Sequence, residues 1–212
     1  NYAGIGPNRR KDFKHYFKKL YASDNNLSQK KINSLQENTV PFINHLKKLV
    51  RGRKYLIISD NDTITKHLPD SIGKRNIHPI TIMNSGPYYD SYDGLCEKNC
   101  NFMSVSRIGD SLHQNVVAHE TAHSLHLMFN DEQKQIIEDL YKKAKDEGRT
   151  LDYYADTNSF EYFAQGCDAF SSYYKPHKQL MNGSLLGHTI YELMDTDPDL
   201  FKFIQNVLKR YH

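Results

Sequence analysis

The feature that most constrains this chain is the run Val116-Val117-Ala118-His119-Glu120-Thr121-Ala122-His123-Ser124-Leu125-His126-Leu127. It is apolar enough to belong in an interior, yet it carries three histidines and a glutamate. Buried polar side chains need partners. A helix gives them one: at 3.6 residues per turn, His119 and His123 project from one face, one turn apart, and their ring nitrogens can converge on a single cation. The spacing His-Glu-x-x-His is that of a Zn²⁺ site in which Glu120 stands beside the open coordination position and acts as a base toward water. A helix around the motif and a third ligand downstream are what such a site requires.

A chain of 212 residues, 38% hydrophobic and 25% charged, has length for one domain with a real core. We read 1–212 as a single domain with an N-terminal lobe (1–130, including the motif helix) and a helical C-terminal lobe (131–212). No apolar run approaches the length of a membrane span. The start at Asn1, with no signal-like segment after it, is expected to be a processed or trimmed end. Net charge is only +3, but the first third is basic and the remainder acidic. Arg9, Arg10, Lys11, Lys14, Lys18 and Lys19 read as the wet face of a helix. No stacking aromatics are interleaved among them, so no nucleic-acid partner is expected. Of the three cysteines, Cys96 and Cys100 flank a three-residue loop that suits either a small disulfide or two idle thiols. Cys167 stands apart, so a structural zinc site built on cysteine pairs is not expected.

Hydrophobic periodicity predicts helices through the first fifty residues, with Pro41 opening a fresh one. Strands are predicted at Lys54–Ser59, Ile77–Met83 and Asn101–Arg107, the last with Met103 and Val105 on one face and Phe102, Ser104 and Ser106 on the other. Gly109 stops that strand, and Asp110 or Ser111 caps the motif helix. Helices follow at Gln133–Lys145 (ended by Gly148), Asn158–Tyr174, Thr189–Met194 and Leu200–Tyr211. The fold class is α+β: a small mixed sheet, an edge strand just before the motif helix, a mostly helical C-terminal part and a cleft between. The edge strand offers an extended peptide a line of backbone groups to pair with, which suits an endopeptidase cleft.

A catalytic zinc keeps three protein ligands. A third histidine six residues after His123 is one common solution, but that position is Phe129. A Glu on a later helix is the other, and Glu161 in Asn158-Ser159-Phe160-Glu161-Tyr162-Phe163-Ala164-Gln165 is the best candidate: an acid on an otherwise apolar face. Its competing reading is a capping box, with its carboxylate reaching back to Asn158.

Downstream of the motif, Tyr154-Ala155-Asp156-Thr157-Asn158-Ser159-Phe160-Glu161-Tyr162-Phe163-Ala164 resembles the Glu-zincin metallopeptidases, within them most closely the anthrax lethal factor catalytic domain and the secreted Pro-Pro endopeptidases. The resemblance is specific over Val116–Phe170, weaker beyond, and absent before residue 100. It implies a zincin-like fold, one Zn²⁺ held by His119, His123 and Glu161, Glu120 as general base, and Tyr154, seven residues before Glu161, as oxyanion donor. It implies a peptide or protein substrate, and we expect a secreted monomer. Tyr153 competes with Tyr154 for the oxyanion role. The family usually has a second acid four residues after the ligand Glu, where this chain has Gln165. A Gln carbonyl still accepts an imidazole N–H but raises ligand basicity less, and Asp168 is a candidate to compensate.

Six further residues are candidates near the site. His126 is an alternative third ligand or a substrate contact, but a histidine behind the ligands or in the core is the preferred reading. His188 and Tyr191 line a cleft or simply pack. Tyr88, Tyr89 and Tyr92 suit a substrate-contacting flap. The alternative function is an inactive or weakly active zincin whose cleft binds a protein partner; a plain helical domain with an accidental motif is the least favoured reading.

Overall fold

Apolar residues three and four apart turn the first fifty residues into helices, as their periodicity predicts. In α1 (Pro7–Leu20) Phe13, Phe17 and Leu20 are buried, and the basic residues of the same helix stay outside. Ser28 caps α2 (Gln29–Thr39), accepting a hydrogen bond from Lys31 N–H. Pro41 falls in a short 3₁₀ turn, Val40–Phe42, rather than opening a helix of its own, and α3 (Leu46–Gly52) follows. The computed structural model of the chain describes residues 6–21, 27–58, 94–96, 100–109, 115–172, 179–181, 184–186 and 188–208. The strand predicted at Ile77–Met83, the tyrosines Tyr88, Tyr89 and Tyr92, and the caps Asp110 and Ser111 lie outside them.

Three strands form a mixed sheet in the order β1-β3-β2. Strand β1 (Lys54–Ile58) runs parallel to β3 (Cys100–Ser104), with Tyr55 opposite Asn101. Strand β2 (Gly94–Cys96) pairs with β3 antiparallel, Cys96 opposite Asn101. The strand before the motif helix is therefore central, not the edge strand expected. Phe102 and Met103, on opposite faces of this strand, are both inaccessible, so it is covered on both sides. It is also shorter than predicted, since Val105–Arg107 tightens into a 3₁₀ turn.

The motif helix is α4 (Val116–Leu127). Its cap is Asn115, whose side chain accepts from Ala118 N–H at 3.2 Å. A capping box of Asn130 and Gln133 starts α5 (Asp131–Asp146), and Gly148, at φ 63°, lets the chain turn out of it. Next come α6 (Ser159–Phe170), a small hairpin of β4 (Gln179–Met181) and β5 (Ser184–Leu186), α7 (Ile190–Thr196) and α8 (Pro198–Leu208). The architecture is α+β and mostly helical. No helix among the described residues is long and apolar enough to cross a membrane.

Two clusters of buried side chains make the core, and α4 belongs to both. Val116 and Val117 pack with α1, α2, α3, Tyr55 and Met103. Ala118, Ala122 and Leu125 pack with Ile137, Phe163, Phe170, Leu193, Leu200 and Ile204 from the later helices. Contact between α6 and α8 is tight because Gly166 has no side chain: a Cβ there would stand 2.6 Å from Leu200 Cδ2 and 2.8 Å from Ile204 Cδ1. Gly166→Val is therefore expected to destabilise the protein by about 1–3 kcal/mol in urea unfolding, through overpacking. Unchanged stability would show that α8 does not seat against this glycine.

Candidate metal centre

The site forms where α4 and α6 pack side by side, each offering one face to the other. On α4, His119 and His123 lie one turn apart and their Nε2 atoms converge to 3.0 Å. On α6, Asn158 caps the helix by accepting Glu161 N–H at 2.9 Å. The Glu161 carboxylate does not complete a capping box with it. It turns inward instead, with Oε2 3.1 Å from His119 Nε2 and 3.3 Å from His123 Nε2. That oxygen is buried and meets neither ring at a hydrogen-bonding angle. Donor atoms bound at about 2.0–2.2 Å to one tetrahedral ion stand roughly 3.3 Å apart, which is close to these three separations. The donor set of two imidazoles and a carboxylate also suits zinc. His119, His123 and Glu161 are a group that could hold a metal ion, and Zn²⁺ fits them.

Burial works against ionisation of Glu161, but the two facing imidazoles outweigh it and hold its carboxyl well below the usual carboxylate range. Glu120 is the opposite case. It is 5% exposed, and its Oε2 is buried without a hydrogen bond. Burial, reinforced by the negative charge of Glu161 and opposed by His123, pushes its carboxyl up to about 8. The two neighbouring carboxyls are thus shifted in opposite directions, Glu161 toward its charged form and Glu120 toward its neutral one. Strand β2 leaves room for this. A Cβ on Gly94 would stand 2.6 Å from Glu120 Oε1, so only glycine permits the carboxylate its present position.

The Tyr154 ring stacks beside His119 at 5.9 Å between centroids and 20° between planes. Tyr153 instead buries a hydroxyl that finds no hydrogen-bond partner. Tyr154 is thus the tyrosine whose ring lies against a ligand. His126 is not part of the donor group. It stacks on Phe160 at 4.2 Å, meets Phe163 edge-on, and burial pushes its ring down to about 4, so it stays neutral in the core.

Gln165 does reach a ligand: its Oε1 lies 3.1 Å from His119 Nδ1. Asp168, the expected compensating acid, does not. Two turns along α6 it has moved past the ligands to the start of α4, where Oδ1 accepts Asn115 N–H at 3.2 Å. His188 is buried, and its Nε2 lies 3.1 Å from Asp152 Oδ2. Tyr191 is 64% exposed on α7. Cys96 Sγ accepts from Arg53 at 3.3 Å and lies 3.6 Å from Ser124 Oγ. Cys96 forms no disulfide, so of the two readings of its pair with Cys100, a small disulfide or two thiols, the disulfide does not hold.

Sequence reasoning missed two residues. Asn101, wholly buried on β3, donates to the Glu120 carbonyl at 2.8 Å and accepts from Ser124 and Arg53, tying the sheet to the motif helix. Asp152 accepts from Gln165 Nε2 at 2.9 Å. Nothing in local sequence separates it from the other acids of a polar connection. In comparisons with known proteins the chain matches no protein-family model and no curated protein.

The donor geometry separates the two candidates for third ligand. Glu161→Ala is expected to reduce zinc affinity at least 100-fold in competition with a chromophoric chelator, whereas His126→Phe should leave it unchanged. The reverse pattern would move the third ligand to His126.

Proposed function

We propose that this chain is a zinc-dependent endopeptidase of the Glu-zincin type, hydrolysing peptide bonds in a peptide or protein substrate. The observation that carries this reading is the convergence of His119 Nε2, His123 Nε2 and Glu161 Oε2 beside the buried Glu120 carboxylate. A bound zinc ion would bring the pKa of a water toward 7 and polarise the scissile carbonyl. Glu120 takes the proton of the attacking water and delivers it to the leaving amine, a role open to a carboxyl on the motif helix between His119 and His123. The Tyr154 hydroxyl donates a hydrogen bond to the oxygen on which negative charge develops. His119, His123 and Glu161 hold the metal and take no part in proton transfer.

The extended substrate pairs with β2 rather than with the strand preceding the motif. Among the described residues β2 lies on the outside of the sheet, and its Gly94 abuts Glu120. Backbone pairing there places a peptide bond within reach of the base.

The purified protein is expected to cleave members of an unbiased peptide library, to stop when zinc is chelated, and to resume when zinc is restored. Glu120→Gln should retain zinc and lose about 10²–10⁴-fold in kcat. Tyr154→Phe should lose about 10²–10³-fold in kcat with KM little changed. A wild-type protein that binds no zinc, or a Glu120→Gln variant as active as wild type, overturns the assignment. Bound zinc without turnover would instead favour a cleft that only binds a protein partner.

A further inference from the structure

His119 is oriented from behind by an amide. The position one turn after Glu161 on α6 holds Gln165, which is neutral, and Asp168 points elsewhere. The amide is itself held. Gln165 Nε2 lies 2.9 Å from Asp152 Oδ2, and His188 Nε2 lies 3.1 Å from the same oxygen. The other carboxylate oxygen, Oδ1, accepts Ala155 N–H at 2.8 Å. The Asp152 side chain is 1% exposed, so water does not dilute these contacts.

Hydrogen-bond directions then follow without freedom. An ionised carboxylate only accepts, so the group of Gln165 that faces Asp152 is its NH₂. That turns Gln165 Oε1 toward His119. An amide oxygen also only accepts, so the neutral His119 ring carries its proton on Nδ1 and presents a lone pair from Nε2. Nε2 is the atom that faces Glu161 and His123. One carboxylate thus dictates the tautomer of a ligand two side chains away. Its second oxygen pins the turn in which Tyr154 sits, through Ala155 N–H.

We propose that Asp152 is a positioning residue of the metal centre: through Gln165 it fixes His119 in the metal-binding tautomer, and through Ala155 N–H it holds Tyr154 beside that ring. The charge that would ordinarily sit next to the imidazole is displaced by one side chain, onto the connection between α5 and α6. His188, at the entry to α7, holds the far side of the carboxylate and links it to the last two helices. This rests on the zinc reading above.

A swap of charge between the two positions tests it. In Asp152→Asn the Ala155 N–H claims the remaining oxygen, and the new NH₂ faces that of Gln165, donor against donor. In Gln165→Glu two carboxylates face each other across 2.9 Å. In the double variant the new amide donates to the new carboxylate, which accepts from His119 Nδ1 as Gln165 did. We expect each single variant to weaken zinc binding by about 10–100-fold, the range for partners that orient a ligand, and the double variant to recover most of the loss. Zinc affinity is read on the full chain by chelator competition, with thermal unfolding alongside. Nitrogen NMR shifts of His119 in the zinc-free protein report the tautomer directly: proton on Nδ1 in wild type and in the double variant, and a mixture with Nε2 in Asp152→Asn. Tight wild-type zinc binding with unaffected single variants, or a double variant no better than the worse single, overturns the role of Asp152 while leaving the metal site standing. A wild-type chain that binds no zinc at nanomolar to micromolar metal overturns the metal reading, and this inference with it.

Discussion

The centre of this molecule depends on α4 and α6 lying close enough for a carboxylate on one to reach two imidazoles on the other. Removing such groups from water costs several kcal/mol per ion before any metal compensates. Packing holds them there. Helix α4 is committed to both hydrophobic clusters, so it cannot shift to relieve crowding among its polar groups without disturbing one core or the other. Polar ties fix it further along its length. Asp168 and Asn38 hold Asn115 at its start, and Asn101 and Ser124 bond the Glu120 carbonyl in its middle. Three of these ties reach α4 from other elements, α6, α2 and β3, while the Ser124 hydroxyl bonds within α4 itself. The donors converge because their scaffolding leaves them nowhere else to point.

The legible part of the sequence was the part written in short-range periodicity. The helices of the first fifty residues, the motif helix, the helix ended by Gly148 and the aromatic helix of Glu161 all appear close to where their apolar spacing puts them. The convergence of His119, His123 and Glu161 was legible as well: four residues is one helical turn, and an acid on an apolar face needs a reason to be there. Strand order was not legible. A strand of five residues that reads as alternating can occupy an edge or a centre, and only its pairing with both β1 and β2 decides. The support behind the ligands was harder still. Asp168 was the plausible helper to Gln165 by helical arithmetic, but arithmetic places side chains on one helix and not across the gap to its neighbour. Asp152 lies in a connection with no periodicity at all, and His188 some thirty residues further on. Their meeting is a product of tertiary packing.

The same logic explains Glu161. From sequence, its carboxylate had two destinations, the cap at Asn158 and a metal. Only half of the capping box forms: Glu161 N–H donates to Asn158, while the carboxylate turns inward to His119 and His123. A helix N-terminus also favours a negative charge in its first turn, so the cap at Asn158 is compatible with an ionised Glu161 turned inward.

Because α4 is shared between two cores, neither half of the molecule keeps its own hydrophobic interior when the other opens. Loss of Leu125 and Ala122 from one cluster pulls on Val116 and Val117 in the other through less than three turns of helix. The ligands lie on that shared element and on α6, so the centre cannot be assembled by either half alone. During synthesis, His119 and His123 emerge well before Glu161 and must wait for it. A metal ion held by all three would then act as a latch on the whole fold, and the apoprotein would loosen as one unit rather than fray from one side.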